Sequence, residues 1–223
     1  PNIEKKAKKI DKLAYEEMLE MSSTGAKVLQ TRSVELAMKN NLTLQVLSSI
    51  TKKGTLVVNE NELIEKEMVS GVSYSKNESK ISISGIPDKP GISAKIFGLM
   101  SSNNINVDMI VQNISQDGIT ANMTFTVPNK DLESAKEILQ NQNNELTFTN
   151  LTTDSDIAKI SVVGMGMMSQ SGVAEKMFKK LAENKINILA ISTSEIKISV
   201  LIQKKFTELA LKSLHNVYKL DDK

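Results

Sequence analysis

The chain has 223 residues, 40% of them hydrophobic and 24% charged, which suits one large or two small domains with real cores. It contains no cysteine, which excludes disulfides and thiolate metal or nucleophile sites and fits a reducing compartment. Its 28 basic and 26 acidic residues leave a formal charge of +2 and are interleaved, so no field for a nucleic-acid partner is implied.

The run Lys5 to Lys12 reads as a solvated face rather than a polyanion site. No apolar stretch approaches the roughly 20 residues that cross a bilayer, and the N-terminus has no signal pattern, so no membrane partner and a cytoplasmic location are expected. A chain that starts at Pro1 suggests a piece of something longer, although methionine removal before proline gives the same start. The single His215 and the lack of His/carboxylate clusters argue against a metal site or a catalytic centre within the chain.

In chain order, Leu13 to Ser23 and Ala26 to Asn40 carry helical patterns around Gly25, and Leu42 to Ile50 and Gly54 to Val58 read as strands. Residues 1–58 therefore resemble the tail of an α/β domain, and the charged stretch 59–67 reads as a linker. Met68 to Tyr74 is a lone β-like segment. Lys80-Ile-Ser-Ile-Ser-Gly85 then recurs as Lys159-Ile-Ser-Val-Val-Gly164, 79 residues on. After two extra residues the offset is 81, pairing Gly91 with Gly172, Lys95 with Lys176, Phe97 with Phe178 and Asn106 with Asn187. Two copies of one module follow from this register.

The first copy, residues 78–152, predicts a strand at 80–84, a helix at 91–103 and strands at 106–114 and 119–127 joined by an Asp-Gly turn. A helix at 131–139 and a last strand at 146–149 complete the order βαββαβ. The second copy, residues 157–223, predicts strands at 159–163, 187–193 and 196–202 and helices at 171–184 and 206–217, and it lacks a fourth strand. Residues 68–76 are expected to cross over and supply it, because an uncovered sheet edge is a liability. The fold class expected is α+β, with two interleaved ferredoxin-like modules.

Between the first strand and helix, Pro90 pre-sets a helical φ and Gly91 lets a ligand approach the backbone. The amide groups of Gly91 to Ala94 can then hold a carboxylate. Asn106, Asp108 and Gln112 can accept from an ammonium and a small side chain. A plain Pro-Gly turn beside a solvated Asp108 explains the same spacing equally well. Gly164-Met-Gly-Met-Met-Ser169 lacks the third glycine of a dinucleotide loop, so its methionines read as packing filler. Ser192-Thr-Ser-Glu195 reads as a polar turn with Glu195 exposed. An RNA-binding module of this topology needs stacking aromatics, and only Phe125 offers itself.

Tyr15-Glu-Glu-Met-Leu19, Gly25-Ala-Lys-Val-Leu-Gln-Thr-Arg-Ser-Val-Glu-Leu-Ala37, Asn106-Val-Asp-Met-Ile-Val-Gln-Asn113 and Ser192-Thr-Ser-Glu-Ile-Lys-Ile-Ser199 resemble the C-terminal half of bacterial aspartokinases. The resemblance implies paired ACT domains that bind lysine or threonine as feedback inhibitors at a module interface, and a homodimer built through those domains. It implies effector contacts at Asp88, Lys89, Pro90, Gly91, Ile92 and Ser93, at Asn106, Val107, Asp108 and Gln112, and in the second module at Val173, Ala174, Asn187, Ile188, Ser194 and Glu195. Ser93 and Ala174 occupy positions that vary between family members. Lys27 matches a position near the nucleotide, and an exposed helix lysine is its plain alternative. Residues 1–58 become the end of an amino-acid kinase domain whose catalytic motifs precede Pro1. No cofactor is therefore expected on this chain, and ATP and Mg²⁺ belong to the complete enzyme, which makes 4-phospho-L-aspartate. The partner implied is a kinase catalytic domain or subunit. A dimerisation scaffold with empty pockets is the alternative.

Overall fold

The computed structural model, which describes residues 3–26, 28–50, 54–63, 68–116 and 118–221, divides into two units. One comprises Pro1–Ser75, Lys159–Leu189 and Thr193–Lys223, and the other Lys76–Ala158 with Ala190–Ser192.

In the first unit, β1 (Lys12–Ala14) runs directly into α1 (Tyr15–Ser23), followed by α2 (Thr31–Lys39), β2 (Leu44–Leu47) and β3 (Gly54–Val58). The sheet order is β1-β3-β2, with β1 parallel and β2 antiparallel to β3. Leu13 and Ala14 pair with Val57 and Val58, so residues expected at the start of a helix are strand instead. The second helix begins at Thr31 rather than Ala26, after a turn in which Gly25 takes φ +116°. Met18 and Met21 of α1 and Val34 and Ala37 of α2 pack with Leu13 and Val57.

The chain continues through β4 (Gly71–Ser75) and enters the other unit, which contains β5 (Ser79–Pro87), α3 (Ile92–Ser102), β6 (Asp108–Ile114), β7 (Thr120–Val127), α4 (Leu132–Asn141), α5 (Asn143–Leu146) and β8 (Asn150–Asp154). Its four strands lie in the order β6-β7-β5-β8. Period-two alternation buries Ile81 and Ile83 on one face of β5, where Ile92, Ile96 and Met100 of α3 and Leu132, Ala135 and Leu139 of α4 join them in one core. Phe125 is fully buried in that core, which removes it as a base-stacking platform. Gly118 of the β6–β7 turn has φ +66°, and Asp117 lies outside the described residues.

The last strand of this module falls at 150–154 and not at 146–149. Leu146 ends a short helix with its side chain 1% exposed, and Thr147 takes the left-handed conformation at φ +52°. Thr149 then lies over Gly85, where an added Cβ would stand 2.1 Å from Oγ1 of Thr149. Gly85, at φ +70°, sits in the register shift between Ile83 and Ile86 against β7, and the Ser84↔Asn150 pair is where β8 begins.

The remaining elements are β9 (Ile157–Val163), α6 (Val173–Glu183), β10 (Ala190–Thr193), β11 (Lys197–Gln203) and α7 (Thr207–Val217). Their sheet order is β10-β11-β9-β4, the order of the first module with β4 standing where β8 stands there. β4 pairs antiparallel with β9, Gly71↔Val163 through Ser75↔Lys159. All seven residues of β9 are buried. Val173, Met177 and Leu181 of α6 and Ala210 and Leu214 of α7 pack with Ile160, Val162 and Val200. The pair Ser73↔Ser161 puts hydroxyls on the other side of the strands, where Ser73 bonds Thr24 at 2.6 Å and Ser161 bonds Ser199 at 2.7 Å. Thus α1 ends on a polar face of this sheet.

Candidate effector site

Both long module helices that follow a first strand start from a left-handed glycine, Gly91 at φ 94° for α3 and Gly172 at φ 96° for α6. No atom lies within 4 Å of the point where a Cβ would stand on either glycine. The first-turn amides have no acceptor within the helix and carry the positive end of its dipole, and the glycine leaves room in front of them for an anion, although in the first module the Ile92 N–H is directed to the carbonyl of Lys89 at 3.4 Å.

In the first module Asp88, Lys89, Pro90 and Gly91 are exposed, while Ile92 is buried in the core. The Ser93 hydroxyl donates to Oε1 of Gln112 at 3.0 Å, tying the first turn of α3 to β6. Asn106, Val107 and Asp108 stand at the other end of the module. Asn106 and Val107 line a cleft of about 440 Å³ with Phe97, Met100, Ser101, Asn104, Ile105 and Ile110. Oδ1 of Asp108 accepts the N–H of Met109 at 2.7 Å, where Met109 has φ +45° and the β6 register shifts. Asp108 and Gln112 are four residue steps apart along β6, up to roughly 13 Å at the usual rise. Within this module the helix-start amides and the acceptors Asn106 and Asp108 therefore stand too far apart for one small amino acid to touch both.

The second module is open where the first is bridged. In the 81-residue register Ser93 corresponds to Ala174 and Gln112 to Thr193, which replace a bonded pair by a methyl group and a short hydroxyl. A pocket of about 220 Å³ lies there, lined by Met167, Gln170, Gly172, Val173, Ala174, Thr193, Ser194, Glu195 and Ile198. It brings together Val173, Ala174, Ser194 and Glu195 from the sequence reading. Asn187 and Ile188 lie outside it, at the start of the segment leading to β10, and Lys27 lies outside the described residues. Met167, Gln170, Gly172, Thr193 and Ile198 are not among the residues expected there, although the repeat register pairs Gly172 with Gly91 and Thr193 with Gln112.

The pocket helix is anchored from behind. The Tyr218 hydroxyl donates to the carbonyl of Val173 at 2.7 Å, and burial raises the Tyr218 pKa above its ordinary value of about 10. The unfolded tyrosine ionises first, so the fold is fully supported below pH 10 and loses stability as pH rises toward the folded pKa. Tyr218→Phe is expected to flatten this alkaline decline and to cost about 1 kcal/mol at neutral pH, both readable from urea midpoints across pH.

Among the described residues no helix is long and apolar enough to cross a membrane, and no group of three His, Cys, Asp or Glu residues can hold a metal ion.

Two ferredoxin-like modules with glycine-started helices define a class, and the sequence matches the ACT domain family over residues 72–142 and 160–218. The chain belongs to that family. It is 48% identical over 223 residues to an aspartate kinase of Pseudomonas fluorescens, an alignment that covers 99% of this chain and 54% of the relative. The chain thus spans about half the length of the curated relatives it matches. Among solved structures, a crystal structure of aspartokinase alpha and beta subunits is 44% identical with a TM-score of 0.64, covering 68% of this chain and 99% of that one. The ligand-free regulatory subunit of aspartate kinase from Thermus thermophilus is 37% identical with a TM-score of 0.63, again over 68% of this chain and 99% of its own. The resemblance carried by the sequence motifs is therefore to the regulatory part of aspartokinases.

Proposed function

We propose that the chain is the regulatory part of an aspartate kinase and that lysine or threonine, as feedback inhibitor, occupies the second-module pocket. The observation that carries this reading is the pocket itself, about 220 Å³, whose lining includes both the glycine-started end of α6 at Gly172 and Val173 and the exposed acidic residue Glu195. An α-amino acid complements both ends, its carboxylate on the amides and its ammonium on Glu195, in charge-assisted hydrogen bonds. In the first module Ser93 and Gln112 would exchange their mutual bond for bonds to an effector, with Asp88 to Gly91 at the mouth and Asn106 to Asp108 serving a separate contact. Residues 1–58 are read as the end of the kinase domain. The ACT modules are read as the seam of a homodimer, and ATP, Mg²⁺ and aspartate belong to the catalytic domain or subunit. Regulation requires that the effector bind one arrangement of the protein better than another, since equal affinity shifts nothing.

Titration calorimetry with lysine and with threonine is the test. Binding at millimolar concentration or tighter is expected, with Glu195→Gln weakening it by about tenfold or more through loss of the ionic partner. Gln112→Ala reports separately on the first module. A second reading, an ACT-type dimerisation scaffold without effector binding, draws on the Ser93–Gln112 bond that spans the first helix start. It predicts a dimer whose melting temperature is unmoved by any amino acid.

A further inference from the structure

Helix α1 lies outside the βαββαβ order, yet it holds both lips of the second-module pocket. One lip is the segment from Gly164 to Gly172, which contributes Met167 and Gln170, and the other is the β10–β11 turn, which contributes Ser194 and Glu195. Glu17 of α1 is 2% exposed. Its Oε1 accepts the N–H of Met165 at 2.9 Å and the hydroxyl of Ser70, and its Oε2 accepts the N–H of Ala14 at 3.1 Å. Glu20, on the same face of α1, pairs with Nζ of Lys197 at 2.7 Å. Lys197 in turn closes the second lip, its carbonyl accepting the N–H of Ser194 at 2.8 Å. Gly164 and Ile196 join the two lips through an N–H to carbonyl bond of 3.0 Å.

Contacts of this kind respond to small movements. Hydrogen bonds weaken steeply with distance and angle, and a buried carboxylate that loses a donor incurs a desolvation cost. A lip displaced by an occupant therefore carries Glu17 and Glu20 with it. Because α1 continues directly from β1, its movement passes into the β1-β3-β2 sheet.

We infer that α1 is the readout element of the second-module pocket, with Glu17 and Glu20 as positioning residues that convert occupancy into movement of the segment before β4. The chemical class of the natural occupant, an α-amino acid, rests on the function proposed above.

Amide hydrogen exchange of the whole chain tests the inference with the pocket filled in two ways. Lysine and threonine are added in solution, and separately Ala174→Phe or Ser194→Trp fills the cavity covalently, the second from an exposed lip position that leaves the core intact. Filling is expected to change exchange rates in Tyr15–Ser23 by about fivefold or more, the lower end of typical coupling. In Glu17→Gln and Glu20→Gln backgrounds the change is expected to fall below about twofold. Unchanged α1 rates in the filled proteins would overturn the inference, and so would an α1 response that survives both glutamine substitutions. Should neither amino acid give heat while Ser194→Trp still moves α1, the amino-acid reading fails and the readout role stands.

Discussion

Replacing Phe125 by alanine is expected to destabilise the first module by about 3–5 kcal/mol, the range for emptying a large aromatic site in a packed core. The side chain is fully buried in β7, opposite Ile81 of β5, and meets Phe97 of α3 edge-to-face with ring centroids 5.5 Å apart at 73°. Sheet and helix layers thus share it, and neither closes the void without moving the other. The edge-to-face pair adds about 0.5–1.5 kcal/mol beyond area burial. Its neighbour Thr124 points to the opposite face, where its hydroxyl bonds that of Ser82 at 2.9 Å, so Thr124→Ala is expected to cost only about 1 kcal/mol. Exchange protection of the β5 and β7 amides should fall at least a hundredfold for Phe125→Ala and at most about tenfold for Thr124→Ala, at 1.4 kcal/mol per factor of ten. Equal losses would mean that Phe125 is not the joint between the layers.

That both modules share one strand order was legible because their duplication repeats the residues that set each period. Ile81 and Ile83 return as Ile160 and Val162, and Gly91 returns as Gly172 before a helix of the same length. The β4 segment was legible from the missing fourth strand of the second copy. The position of β8 was not. Leu146-Thr-Phe-Thr149 alternates as a strand does, but Leu146 closes a short helix, Thr147 turns left-handed, and pairing with β5 begins only at Asn150 opposite Ser84, beside Gly85 at φ +70°. A glycine inside an alternating run was the available signal. The start of α1 departs from its sequence pattern for a related reason, since Leu13 and Ala14 fit a helix by pattern and are claimed by β3 through long-range pairing.

The candidate site was legible where it depends on the backbone and illegible where it depends on what faces what. The glycine-started helices follow from sequence alone. Which of the two mouths stands open turns on Ser93 and Gln112 reaching each other across 19 residues, while Ala174 and Thr193 do not. Glu17 sits in a motif that carried the family resemblance and Glu20 just beyond it, yet their partners Met165 and Lys197 are about 150 and 180 residues away in sequence, beyond any local periodicity. A glutamate at the third helical position that accepts the N–H of Ala14 is a local cap, and that was the only part of its role readable from spacing.

Gly25→Ala is expected to be the most damaging small substitution in the first unit, and to weaken effector binding as well as the fold. Gly25 has φ +116°, and a Cβ there would lie 2.0 Å from the carbonyl oxygen of Tyr74 and 2.9 Å from its carbon, both backbone atoms that cannot rotate away. The strained backbone costs about 1–3 kcal/mol. The forced separation costs roughly another 1–3 kcal/mol, the range for an overpacked site. Gly91 is the control, because its φ of +94° carries similar strain while nothing stands within 4 Å of its Cβ position. Urea midpoints should place Gly25→Ala well below Gly91→Ala. The separation would also lift the end of α1 from β4, breaking the Thr24–Ser73 bond and loosening the helix whose Glu17 and Glu20 hold the pocket lips. Lysine or threonine titrations should then show a weaker effector in Gly25→Ala, although the glycine lines no pocket. If the two alanine variants are equally stable, the close approach of α1 to β4 is not what fixes that helix, and its control over the pocket must lie in the glutamates alone.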